Sequence, residues 1–168
     1  MNSFPAIEID KVKAWDFRLA NINTSECLNV AYGVDANYLD GVGVSITSIV
    51  LNNRHINLDF YIIADVYNDG FFQKIAKLAE QNQLRITLYR INTDKLQCLP
   101  CTQVWSRAMY FRLFAFQLLG LTLDRLLYLD ADVVCKGDIS QLLHLGLNGA
   151  VAAVVKDVEP MQEKAVSR

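Results

Sequence analysis

Three continuous apolar runs constrain the fold of this chain most: CLNVAYGV (27–34), INLDFYIIAD (56–65) and LRITLYRI (84–91). Each has the length of a strand, and apolar runs of this kind suit strands covered on both faces. The segments between them are helical in length and spacing. Residues 38–51 end at Asn52-Asn53, a helix stop signal. In 68–82, Phe71, Phe72, Ile75, Leu78 and Ala79 recur at the helical period. Further on, a long helix is predicted over 104–120, closed by Gly120, and a fourth strand over 124–130. A short helix or turn comes next in DISQLLHL, then a fifth strand over 149–155, GAVAAVV. Strands alternating with helices predict an α/β fold, a mostly parallel doubly wound sheet with helices on both faces. Residues 1–26 read as a leader that packs on the domain or forms a short hairpin, leaving 27–168 as the domain.

The 168 residues suit one domain with one sizeable core. A formal net charge of -2, with no basic run, offers no electrostatic basis for nucleic-acid binding. The N-terminus carries Glu8, Asp10 and Asp16 and lacks the apolar stretch of a secretory signal. The apolar stretches VGVSITSIVL and AVAAVV are too short to span a bilayer. A cytoplasmic location is expected.

Four cysteines are present, and only Cys98 and Cys101, in CLPC, have a suggestive spacing. One such pair is half a zinc site, and no second pair or nearby histidine completes it. A redox dithiol is the other reading; plain reduced thiols are expected. His55 and His144 read as surface or packing residues.

Ligands of open α/β sheets bind beyond the carboxyl ends of the strands. Two such ends carry polar clusters here. The first is LDADVV (129–134). In an extended backbone Asp130 and Asp132 point the same way, ~6 Å apart. Two charges at that separation repel by roughly 3 kcal/mol at an effective dielectric near 20. A divalent cation reverses the sign of that term, and hard oxygen ligands suit Mg²⁺ or Mn²⁺. The plain reading is that Asp130 ends the strand and Asp132 caps the next turn, both solvated.

The second cluster is AYGVDANY (31–38). Gly33 permits close backbone approach, Asp35 is an acceptor, Asn37 an amide with donors and acceptors, and Tyr38 a flat ring. That set suits a planar base; it equally suits a strand-to-helix turn capped by Asp35 or Asn37. GVGVS lacks the third glycine of a dinucleotide fingerprint, since Ile46 holds that place. Arg112, in MYFRLF, needs a partner, either Asp130 or an anionic substrate. Arg107 is a weaker candidate.

AYGVDANY, the run Tyr110-Phe111-Arg112-Leu113 and YLDADVV together resemble the family-8 retaining glycosyltransferases, whose GT-A domain is a Rossmann-like nucleotide-sugar-binding fold. Over 27–155 the chain is similar, within that family, to the UDP-glucose α-1,2-glucosyltransferases of the enterobacterial lipopolysaccharide outer core. The resemblance implies that Asp35, Asn37 and Tyr38 hold uracil, with Gly33, Val34 and Ala36 beside it. It implies Mg²⁺ or Mn²⁺ on Asp130 and Asp132, Ala131 at the ribose, and Arg112 with Asp130 at sugar or phosphate. The implied reaction is retaining transfer of glucose, or galactose, from UDP-glucose or UDP-galactose to a lipopolysaccharide core sugar. The membrane would enter only peripherally, through the lipid-linked acceptor.

Members of the family carry a later H-x-x-G-x-x-K-P-W motif that supplies a third metal ligand and a phosphate-binding lysine. That motif is absent, so a truncated chain is expected, and no catalytic residue is assigned. Two other readings stand beside this one. A haloacid-dehalogenase-type phosphatase also uses an apolar strand ending in D-x-D, with the first Asp as nucleophile. Against it, the motif comes after three strand–helix units, and few residues remain for the later ligands. The other is an inactive UDP-binding fragment.

Overall fold

The computed structural model describes residues 7–19, 26–101 and 106–156. Among these residues five strands form one sheet in the order β1-β4-β3-β2-β5. They are β1 (Ile9–Asp16), β2 (Cys27–Val34), β3 (Asn57–Ala64), β4 (Arg85–Ile91) and β5 (Leu127–Tyr128). Strands β2 to β5 run parallel, and β1 pairs antiparallel with β4 at one edge. The helices are α1 (Leu39–Asn52), α2 (Asp69–Asn82) and α3 (Phe111–Leu119).

The expected α/β sheet with helices on both faces is present. Alternate residues of each parallel strand enter two cores. Val30, Tyr32 and Val34 of β2, with Phe60 and Ile62 of β3, meet the buried stripe of α1 (Leu39, Val42, Ile46, Ile49) and Phe71 and Ile75 of α2. Ala31 of β2, with Tyr61 and Ile63 of β3, meets Phe111, Phe114, Ala115 and Leu119 of α3 on the other face. The split arises from topology. From β2 the chain steps outward to β3 and β4, then returns across the sheet to β5 on the far side of β2. Right-handed crossovers in opposite directions place their helices on opposite faces.

Three features refine or depart from the expectations. Within the leader, residues 9–16 are an edge strand of the sheet. A bulge between Lys11 and Lys13 breaks its period, so Ile9 packs on the α3 face and Trp15 on the α1–α2 face. Charged edge positions are a common way to blunt a sheet edge. The other leader residues, 1–6 and 20–25, lie outside the described residues. Second, the long helix predicted over 104–120 begins as a 3-10 turn, Arg107–Tyr110, capped by Ser106, before α3 proper; residues 104 and 105 lie outside the described residues. Third, residues 149–155 form no strand. Val151, Val154 and Val155 are 100%, 90% and 96% exposed. An apolar run becomes a strand only where a neighbour supplies ladder hydrogen bonds. Here a turn with positive φ at Asn148 and Gly149 precedes the run.

At the amino ends of the parallel strands, Asp59 is buried and ion-paired to Arg18 and Arg85. Its place is structural, at the end of the sheet opposite the polar clusters.

Candidate active site

Strand β2 is where the strand order reverses, so the carboxyl ends of β2 and β5 open a crevice between them. A cleft of about 390 Å³ lies there, lined by Gly33, Val34, Asp35 and Tyr38, by Ser106, Ala108, Met109 and Arg112, and by Tyr128, Asp130, Ala131 and Asp132. Three stretches far apart in sequence supply it. Eight of the predicted residues converge in this cleft. Ala36 and Asn37 are exposed and do not line it.

The β2 end is shaped by space. Alternation turns Gly33 toward α3, where a Cβ would stand 2.6 Å from Cβ of Phe111 and 2.7 Å from the Tyr128 hydroxyl. Only glycine lets strand and helix close to this distance. Beyond it, Asp35 Oδ1 accepts from the backbone N–H of Asn37 at 3.0 Å, capping the 3-10 turn Ala36–Tyr38. The capping reading of Asp35 therefore holds, and the carboxylate still lines the cleft. Ser106 Oγ donates to Asp35 Oδ2 at 2.8 Å.

The β5 end differs from the extended geometry expected. Asp130 is past the strand, and Val133 N–H donates to the Asp130 carbonyl at 3.2 Å, closing a turn. The two aspartates thus flank the buried Ala131 in a turn, not along a strand. Short β5 has only two ladder residues, so the chain bends as soon as the pairing ends. Helix α1 holds the turn from beneath: a Cβ at Gly41 would come within 3.0 Å of the Ala131 carbonyl oxygen. The end of α1 also secures the segment after the aspartates. Ser48 Oγ accepts from Cys135 N–H at 2.9 Å, Asn52 Nδ2 donates to the Cys135 carbonyl at 3.1 Å, and Asn53 Oδ1 accepts from Ile139 N–H at 2.8 Å. Asn52-Asn53 is a stop signal in the sequence; in the fold it is a tether as well.

Arg112 finds the partner its position requires. Its Nη2 donates to Asp130 Oδ1 at 2.8 Å, and its guanidinium lies 5.2 Å from the Tyr128 ring centroid. Tyr128, half-buried, donates to the Gly33 carbonyl at 3.4 Å, and burial pushes its hydroxyl above the usual phenol range. Arg107 instead donates to the Gln97 carbonyl at 3.3 Å and does not line the cleft. Ser106, Ala108, Met109 and Tyr128 line the cleft without having been singled out from the sequence; Ser106 and Ala108 lie outside the quoted motifs, Tyr128 only opens YLDADVV, and the crossover alone brings these side chains here.

Asp130 and Asp132 are exposed carboxylates, the hard oxygen donors that Mg²⁺ and Mn²⁺ take while keeping several waters. They fit as two ligands of such an ion. No third His, Cys, Asp or Glu joins them among the described residues. Cys98 and Cys101 are exposed free thiols that do not line this cleft.

The sequence profile of glycosyl transferase family 8 matches residues 29–168. Over its 168 residues the chain is 99% identical to Lipopolysaccharide 1,2-glucosyltransferase of Escherichia coli K12, covering 100% of this chain and 50% of that protein. Lipopolysaccharide 1,3-galactosyltransferase of Salmonella typhimurium is 38% identical over 145 residues, 86% of this chain and 43% of that one. The chain thus spans half, or less, of the length of these curated relatives. Galactosyltransferase LgtC, solved in complex with donor and acceptor sugar analogs, superposes with a TM-score of 0.57 at 19% identity, over 68% of this chain and 41% of that chain. The apo bifunctional WbbM glycosyltransferase gives 0.58 at 21% identity, over 77% and 23%. These two likenesses are of fold.

Proposed function

The chain belongs to glycosyl transferase family 8, and from that premise we propose that its cleft binds a UDP-hexose for retaining transfer to a lipopolysaccharide core sugar. One observation carries the reading: a single cleft joins the base-type cluster at the end of β2 to Arg112, Asp130 and Asp132 at the end of β5. The phosphatase reading is not favoured, since the family match is to glycosyltransferases.

In this reading Asp35 accepts from the uracil ring N–H, and the exposed Tyr38 ring offers a stacking face. Asn37 reaches a base carbonyl from the rim. Gly33, Val34 and Ala36 flank the base, and Ala131 leaves room for the ribose. Asp130 and Asp132 would hold Mg²⁺ or Mn²⁺, which supplies charge neutralisation at the departing UDP. Arg112 sits where its guanidinium can turn from Asp130 to a phosphate or sugar oxygen. The relatives named for glucose and for galactose transfer support either donor, UDP-glucose or UDP-galactose. No helix among the described residues is long and apolar enough to cross a membrane; peripheral placement at the inner face of the inner membrane, through the lipid-linked acceptor, belongs to the same proposal.

Calorimetric titration of UDP with and without Mn²⁺ tests it. Metal-dependent UDP binding is expected, and its absence from a folded sample overturns the reading. Binding without transfer is the second reading. Hexose transfer to lipopolysaccharide core separates the two.

A further inference from the structure

Ser106 stands 71 residues from Asp35 in sequence and touches it in the fold. Its hydroxyl makes two hydrogen bonds. Oγ donates to Asp35 Oδ2 at 2.8 Å and accepts from Ala108 N–H at 3.3 Å. The direction of both is chemically determined. A backbone amide only donates, and an ionised carboxylate only accepts. The one hydroxyl proton is therefore committed to Asp35.

Asp35 is held at each oxygen: Oδ2 by Ser106 and Oδ1 by the Asn37 N–H. The restraints come from two separate elements, the 3-10 turn that leads into α3 and the turn that leads into α1. A carboxylate offers about four acceptor positions, so two remain for a ligand. An acceptor fixed in advance binds without the cost of ordering itself. It also discriminates. Uracil presents a ring N–H at the position where cytosine presents a lone pair. A carboxylate held at both oxygens accepts from the first and repels the second.

We propose that Ser106 is a positioning residue that holds Asp35 for a ring N–H donor, and thereby sets a preference for UDP over CDP. The inference rests on the UDP reading of the cleft. The same hydroxyl joins the entry of α3, which bears Arg112, to the end of β2, so base and phosphate ends of the cleft share one frame.

UDP and CDP are titrated against the chain, against Ser106→Ala and Ser106→Thr, and against both Ser106→Ala and wild-type Ser106 in an Asp35→Asn background. In Ser106→Ala, UDP affinity is expected to fall by about tenfold, with CDP affinity unchanged. Ser106→Thr, which keeps the hydroxyl, is expected to retain the preference. In the Asp35→Asn background, Ser106→Ala is expected to add no further loss, because its partner is already altered. An unchanged UDP-to-CDP ratio in Ser106→Ala, or equal loss of both nucleotides, overturns the proposal while leaving the UDP reading intact. A parent chain that binds neither nucleotide, or binds both alike, overturns both.

Discussion

Gly33 and Phe111 are in contact so close that a Cβ on the glycine would lie 2.6 Å from the Cβ of the phenylalanine. Strand β2 and the first residue of α3 are thereby locked together at the floor of the cleft. Gly33→Ala is expected to lower stability by about 1–3 kcal/mol, as overpacking does. Gly43, which has nothing within 4 Å of its added Cβ, is the control; Gly43→Ala in α1 is expected to stabilise by about 0.5–1 kcal/mol. Denaturant unfolding of the pair checks both signs. Equal behaviour of the two variants would contradict the packing described.

The Arg112–Asp130 pair is exposed at 45% and 57% of its side chains, so its share of fold stability is small. Arg112→Ala is expected to shift unfolding by about 0.5 kcal/mol or less. UDP-sugar affinity is expected to fall by about tenfold or more, with Arg112→Lys restoring part of it. Calorimetry beside thermal melting separates the two effects. A large stability loss with unchanged binding would assign Arg112 to structure.

Asp132 is proposed as a metal ligand and nothing else. Asp132→Ala is expected to leave the fold intact and to abolish the Mn²⁺ dependence of UDP binding. The measurement is a UDP titration across Mn²⁺ concentrations. Undiminished Mn²⁺ enhancement in that variant refutes the assignment.

Cys27, at the start of β2, is buried beside Asp59; burial first, and then the carboxylate's charge, push its thiol up to about 12 from 9.0. The folded chain therefore holds this proton where the unfolded chain releases it. The stabilising contribution is whole below pH 9.0 and is lost as pH rises through the window toward 12. Native-state alkylation at about pH 8.5 is expected to label exposed Cys98 and Cys101 and to spare Cys27. Labelling of Cys27 at the same rate would contradict its burial. Cys27→Ser is expected to flatten the alkaline limb of the stability profile.

The central strands were legible because each is buried on both faces, which writes a continuous apolar run into the sequence. The expected 27–34 coincides with β2, and 56–65 and 84–91 each overrun β3 and β4 by one or two residues. The edge strand β1 was not legible. Its inward residues Ile9, Val12 and Trp15 are spaced by three, because the bulge shifts the register midway. The run 149–155 misled for the opposite reason: apolar character marks a segment that needs cover, and pairing decides whether it becomes a strand.

The candidate site divides in the same way. AYGVDANY and LDADVV were readable because they are local, with carboxylates placed directly after apolar strands. Sequence by itself determined the fold class, the family resemblance and most of the polar residues of the cleft. Tertiary structure alone decided that β5 lies beside β2, that Asp130 and Asp132 flank a turn, that Arg112 pairs with Asp130, and that Ser106 holds Asp35. The reason is range. Periodicity and turn chemistry act over a few residues, whereas the Arg112–Asp130 pair and the Ser106–Asp35 bond join positions 18 and 71 residues apart, Val30 pairs with the still more distant Leu127, and the turn at Asp130 follows from where that pairing stops.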